Sequence, residues 1–236
     1  MQFVWLIWSS AFLIPWTLLY FFKTDFRKKM LRVSLATSLL GLSEPLFVPQ
    51  YWNPPSLFDL AQRTGFDIES LIFCFAIGGI GAVMYNALTN SNIEVVPHAE
   101  RHTGRHRWHR LAIGAPFLVF PVLYFLPWNP IYPGIVALMI GGIANVLCRP
   151  DLLRNTLIGG ALFLMIYAVS MLMLSFFVPG YIERVWNISA ISGLLLVGIP
   201  VEELAFGFAF GLYWAGIYEH FTWHRGLSSR EAEHAS

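Results

Sequence analysis

Charged side chains are scarce in this chain: they make up 12% of its 236 residues, against 56% hydrophobic, and the mean hydropathy is +0.59. So little charge excludes an ordinary soluble domain of this length and points to an integral membrane protein, for which no nucleic-acid partner is expected. Cysteine is limited to Cys74 and Cys148, both inside apolar runs and without paired spacing. That excludes a disulfide framework, argues against a metal site, and leaves both as small packing residues. Lysine is limited to Lys23, Lys28 and Lys29. A seven-span retinal protein needs a lysine in its last span for the Schiff base, so that class is excluded. Gly78-Gly79-Ile80-Gly81 lies inside an apolar run with no strand before it, so it reads as a packing motif rather than a phosphate loop, and no cofactor is expected. The apolar stretch that opens the chain has no basic region ahead of it and no small-residue cleavage site, which predicts a first span rather than a secretory signal.

What the chain does have is a repeat. Asp67 to Asn86 reappears without a gap as Pro200 to Glu219, sharing Glu69/Glu202, Leu71/Leu204, Phe73/Phe206, Gly78/Gly211 and Tyr85/Tyr218 among others. Upstream, Phe47-Val48-Pro49 with Tyr51 is echoed by Phe177-Val178-Pro179 with Tyr181, and Trp52-Asn53 by Trp186-Asn187. Membrane binding folds are often built this way, with the site between the copies.

A span needs roughly 20 mostly apolar residues, and seven stretches qualify: about 2–22, 30–48, 68–89, 109–127, 131–148, 155–178 and 200–218. The expected fold is all-α, with seven transmembrane helices in two parallel three-helix repeats joined by a linker helix. Residues 1–90 form the first repeat, 91–128 a basic inner loop and linker span, 129–220 the second repeat, and 221–236 a cytoplasmic tail. All basic residues except Arg63 and Arg184 fall on one side of this arrangement, which predicts an outer amino terminus and a cytoplasmic carboxyl terminus. Ser56 to Gly65 is too short to cross and is expected to lie on the outer surface, with Ile188 to Gly198 in the same place in the second copy. Pro200 suits a first helical turn. The inner loop carries His98, His102, His106 and His109 mixed with arginines, and reads as a basic, membrane-facing loop rather than a metal site.

Four acids fall within or at the outer ends of spans: Glu44, Glu69, Glu202 and Glu203. A carboxylate in hydrocarbon is costly and normally faces the bundle interior. The repeat predicts that Glu69 and Glu202 approach one central cavity, with Glu203 turned about 100° away. A carboxyl held neutral in an apolar cavity can act as a general acid. Phe73, Phe206, Phe210, Tyr213 and Trp214 share the register of these acids, and ring faces stabilise a carbocation. Acid and aromatic lining together suit protonation of an alkene. The competing readings are that the aromatics are core or lipid-facing filler and that the acids cap their helices. Glu219 and Tyr218 are expected to snorkel to the cytoplasmic surface.

Pro200-Val201-Glu202-Glu203, followed by the aromatic-rich helix from Leu204, resembles the motif of the membrane lycopene cyclases, found as two-subunit or fused enzymes in bacteria, archaea and fungi. The first copy, Asp67-Ile68-Glu69-Ser70, keeps one acid but lacks the proline and the second acid. The resemblance implies an intramolecular lyase or isomerase of carotenoid biosynthesis in a prokaryotic cell membrane. It would act on a hydrophobic carotenoid or terpenoid within the bilayer, in contact with membrane lipid, and would close β-ionone rings by redox-neutral cyclisation. It also implies Glu202 as proton donor, Glu69 as its partner, and Glu203 or Glu44 as the tuning or accepting group. Another membrane terpene cyclase and a parallel-repeat transporter remain as alternatives, and a homodimer is left open. Against transport, the inner half offers no polar route beyond Asn86 and Asn145.

Overall fold

The computed structural model describes residues 2–89, 92–101 and 104–227. The first apolar run folds as α1 (Val4–Ala11) and α2 (Leu13–Phe22), which bend at Phe12 because Pro15 has no N–H to give the Ala11 carbonyl. After a basic turn comes α3 (Arg27–Ser38), which tightens into a 3-10 segment, Leu39–Leu46, around Pro45. A 3-10 turn at Leu57–Asp59 and the short α4 (Leu60–Thr64) lead to α5 (Ile68–Thr89). Asp67 caps α5, its Oδ1 accepting the Ser70 N–H at 2.5 Å.

The inner segment holds β1 (Asn92–Val95), α6 (His98–Arg101) and a 3-10 turn, Gly104–Trp108, before α7 (His109–Tyr124). Next come α8 (Ile131–Cys148), α9 (Leu153–Phe177), α10 (Tyr181–Val185), a small hairpin of β2 (Leu195–Leu196) and β3 (Ile199–Pro200), and α11 (Val201–Thr222). A last strand, β4 (His224–Leu227), pairs antiparallel with β1 and ties the inner segment to the end of α11.

Among the described residues, four helical stretches are long and apolar enough to cross a membrane: Val4–Phe22, Ile68–Thr89, Ile131–Cys148 and Pro150–Phe177. This fits a membrane protein. The other three expected spans are also helical, but each carries something that interrupts an apolar run. In α3 it is Arg27, Lys28, Lys29 and Arg32 followed by the 3-10 segment. In α7, only 16 residues long, it is Pro116 and Pro121. In α11 it is Glu202 and Glu203 at one end and Glu219 at the other. Pro200 is extended (φ −55°, ψ 133°) and stands just before α11 rather than in its first turn.

The packing is alike in the two copies. Helix α3 lies along α5 as α9 lies along α11, α5 and α11 meet at the centre, and α7 packs chiefly on α8. Glycine permits these approaches: a Cβ at Gly78 would fall 2.3 Å from Thr37 Oγ1, one at Gly79 2.3 Å from Ser34 Oγ, and one at Gly211 2.8 Å from the Gly159 carbonyl oxygen. The Gly78 to Gly81 run is therefore a packing motif, as its sequence context implies. The outer loops of the copies meet through repeat-equivalent residues. Trp52 faces Trp186 in an antiparallel bridge, with the Asn53 N–H on the Val185 carbonyl at 2.8 Å and the Asn187 N–H on the Tyr51 carbonyl at 2.9 Å.

Glu219 does not snorkel. It is fully buried, its Oε1 accepts from Lys29 Nζ and, at 2.5 Å, from Asn86 Nδ2, and Lys29 is itself only 3% exposed. Asn86 is the repeat equivalent of Glu219, so a polar cluster sits on the α5–α11 seam in the inner half. Of the inner-loop histidines, His98 begins α6, His102 lies outside the described residues, and His106 and His109 are half-buried beside Cys148. That departs from a loop lying open on the membrane surface.

Candidate functional site

A cavity of about 380 Å³ lies between the two copies, a size suited to a small organic ligand. Its walls come from α1, the 3-10 segment after α3, α5, α7, α8, α9 and α11, so nearly every long element contributes. The lining is dominated by hydrocarbon and ring faces, with Trp8, Trp52, Phe73, Phe206, Phe210 and Trp214 prominent. Among these, Trp8 stacks near Phe73 at 5.8 Å and Phe210 on Trp214 at 4.5 Å.

Several of the indole N–H groups have side-chain acceptors. Trp5 donates to Asp67 Oδ2 at 3.1 Å, Trp8 to Ser170 Oγ at 2.7 Å, and Trp214 to Thr37 Oγ1 at 2.8 Å. What these rings present to a ligand is therefore apolar surface and π density. Asp67 lies just ahead of α5, and burial holds its carboxyl above the ordinary range, although hydrogen bonds from Ser70 and Trp5 pull the other way.

Two carboxyls line the cavity, Glu44 and Glu203. Glu203 is 4% exposed and gathers three donors: Tyr51 Oη and Trp186 Nε1 (2.7 Å) on Oε1, and Tyr167 Oη on Oε2. Such a set holds a carboxylate as an acceptor on both oxygens. Glu44 differs, because its Oε1 is buried with no hydrogen-bond partner. Pro45 follows it, and the 3-10 winding around that proline belongs to the segment that brings Glu44 to the cavity wall.

Ser70 also lines the cavity and stands where Glu203 stands in the second copy. In place of a second acid in that motif, the first copy's side of the cavity carries Glu44 from the 3-10 segment.

The duplicated pair Glu69 and Glu202, expected to converge on a central cavity, does not line it. Each instead holds the loop outside its own helix. Glu69 Oε1 accepts the Leu57 N–H at 2.7 Å, while Glu202 Oε1 accepts the Ser192 N–H at 2.9 Å and the Tyr132 hydroxyl at 2.8 Å. The physical reason is position: both sit in the first helical turn, where the chain has just come in from those loops. Glu203, one residue on, turns inward instead. Of the expected aromatics, Phe73, Phe206, Phe210 and Trp214 face the cavity. Tyr213 does not, for its hydroxyl is engaged by the Ile113 carbonyl of α7.

Sequence reasoning did not single out Tyr51, Tyr167 and Trp186 as partners of Glu203. Tyr51 and Trp186 carried a signal, since both belong to the repeated loop motif. Tyr167 carried none.

Leu46 and Phe117 are 36% and 54% exposed although both line the cavity, and the 3-10 segment meets α7 through a Phe47–Phe120 ring contact at 5.9 Å and a Tyr124 hydroxyl on the Leu46 carbonyl at 3.3 Å. The inner-half groups Lys29, Asn86, Glu219, Asn145 and His220 take no part in the lining.

Residues 129–221 match the lycopene cyclase family. The match covers α8 to α11, and with them Glu202, Glu203, Tyr167, Trp186 and the aromatic face of α11. Glu44, Tyr51, Glu69 and Phe73 lie ahead of it. No curated protein and no solved structure matches the chain. The lycopene cyclase match, together with apolar helices long enough to span a membrane, supports an enzyme of carotenoid cyclisation whose substrate lies in the bilayer.

Proposed function

We propose that the protein is a membrane lycopene cyclase that turns the linear ψ end groups of a carotenoid into β-ionone rings by acid-initiated, redox-neutral cyclisation. The observation that carries this reading is the pair of unlike carboxyls, Glu44 and Glu203, in a cavity lined largely by aromatic and apolar side chains. The end group enters between Leu46 and Phe117 while the polyene tail stays among lipid. Glu44, whose buried Oε1 has no hydrogen-bond partner, donates a proton to the terminal alkene.

The tertiary cation so formed is attacked by the neighbouring double bond, which closes a six-membered ring and moves the positive charge to a ring carbon. Loss of a proton from the adjacent carbon restores an alkene. Glu203 accepts that proton and returns it to Glu44, so one proton enters and one leaves and no oxidant is consumed. Phe73, Phe206, Phe210 and Trp214 stabilise the cation through their ring faces. Glu69 and Glu202 act on the outer loops and Tyr213 on α7, each through the hydrogen bonds described above.

In this reading the chain crosses the membrane seven times as two parallel three-helix units joined by α7, with the amino terminus outside. The one-sided distribution of lysine and arginine supports the orientation, and the matching packing of α3 on α5 and α9 on α11 supports the repeat.

Expression in cells that accumulate lycopene tests the reading. Monocyclic or bicyclic carotene of unchanged mass is the expected product. A correctly inserted protein that leaves lycopene linear would overturn it, and cyclisation of a prenylated or epoxidised substrate in the same assay would move the protein to another terpene cyclase class.

A further inference from the structure

We propose that the inner end of the molecule holds a zinc-type metal site made by Cys148, His106 and His109. The three residues come from separate places: the 3-10 turn before α7, the first residue of α7, and the last residue of α8. Their ligand atoms all lie within 4.8 Å of one another. The Cys148 sulfur is 3.5 Å from His106 Nδ1 and 3.6 Å from His109 Nδ1. Zinc bonds of about 2.3 Å to sulfur and about 2.0–2.1 Å to nitrogen, set at the tetrahedral angle, put S and N about 3.5–3.6 Å apart. Both separations are therefore those of two edges of a zinc tetrahedron.

The surroundings hold the ligands in place. Trp223, at the end of α11, stacks on His109 at 3.9 Å and meets His106 edge-on at 4.9 Å. His220 adds an independent observation. It is fully buried, its ring lies 4.4 Å from that of His109, and its Nε2 has no partner. His220 Nδ1 lies 2.7 Å from Asn145 Oδ1, an acceptor, so the proton sits on Nδ1 and Nε2 keeps its lone pair. His220 is not among the ligand atoms that lie within 4.8 Å of one another, so it stands beside the set of three and the fourth position falls to water. Arg149, the adjacent fixed charge, is drawn off by Asp151 at 2.8 Å and by the His224 carbonyl at 2.8 Å.

A metal here would pin the inner end of α7 to α8 and, through Trp223, to α11. Because α7 packs chiefly on α8 and supplies the cavity wall at Phe117, Phe120 and Pro121, the site would fix that wall. The metal proposal does not depend on the cyclase reading.

The test is cobalt titration of the metal-stripped full chain in detergent. One cobalt per chain with a thiolate-to-metal charge-transfer band, displaced by zinc, is expected. Cys148→Ser should abolish the band and His106→Asn should weaken cobalt binding at least tenfold, both with unchanged helical circular dichroism, whereas Cys74→Ser should keep the band. The proposal is overturned if the folded parent gives no charge-transfer band, or if the band follows Cys74. Should Cys148→Ser lose its helical signal, His106→Asn decides alone: unchanged cobalt affinity overturns the site.

Discussion

Glu203→Gln is expected to lower ring formation by roughly 10²–10⁴-fold, the contribution of a well-placed general acid or base. The substitution keeps size and leaves an amide oxygen to accept from Tyr51 and Trp186, so the wall of the cavity survives while the proton acceptor is gone. Glu44→Gln should fall in the same range, and the two together should cost little more than either alone, because groups that serve one proton cycle are not additive. Glu202→Gln is the informative contrast. Its amide oxygen still accepts the Ser192 N–H and the Tyr132 hydroxyl, so the loop stays anchored and the rate should stay within about tenfold, with a stability loss near the ~1 kcal/mol of one weakened hydrogen bond. Product formation in membranes, normalised to inserted protein, reads all three. A large loss in Glu202→Gln with near-normal Glu203→Gln would return the proton donor to the outer pair.

The second large effect concerns stability. Lys29 and Glu219 form a buried ion pair on the α5–α11 seam, with Asn86 as a further donor. Removing one partner leaves the other charge without compensation in a low-dielectric interior, which costs about 3–5 kcal/mol. Glu219→Leu or Lys29→Met alone should therefore drop the thermal midpoint in detergent sharply and reduce the inserted yield. The double variant, Lys29→Met with Glu219→Leu, exchanges the pair for packed hydrocarbon and should recover most of that loss. Thermal unfolding of the three variants forms a cycle, and a double-variant loss equal to the sum of the two single losses would show that no coupling exists.

The all-helical fold was legible because its signals are long and local: apolar runs, a duplicated segment and basic turns. The duplicated acids were legible as important but not as to place. Glu69 and Glu202 lie in first turns beside incoming loops, and neighbouring loop N–H groups claim their oxygens. Periodicity alone sees only the helix and not the chain that precedes it. The cavity pair, Glu44 and Glu203, was legible among the four acids but not as a pair, since Glu44 sits on a 3-10 segment where the α-helical angle of 100° per residue does not apply. The Lys29–Glu219 pair escaped because a lysine beside other basic residues reads as a surface charge, and only the packing of α3 and α11 against α5 carries it inside. The Cys148 cluster joins residues about 40 positions apart, a spacing too wide for any local motif to reveal.

The measurement that bears most directly on acid-initiated cyclisation is the reaction run in heavy water. Membranes containing the protein are equilibrated in D₂O, supplied with lycopene, and the cyclic product is analysed by mass spectrometry. The carboxyl proton exchanges with solvent, so each ring formed should carry one deuteron on the carbon that was protonated, and a bicyclic product two. Cyclic product without deuterium would contradict protonation by an exchangeable acid and, with it, the roles given to Glu44 and Glu203.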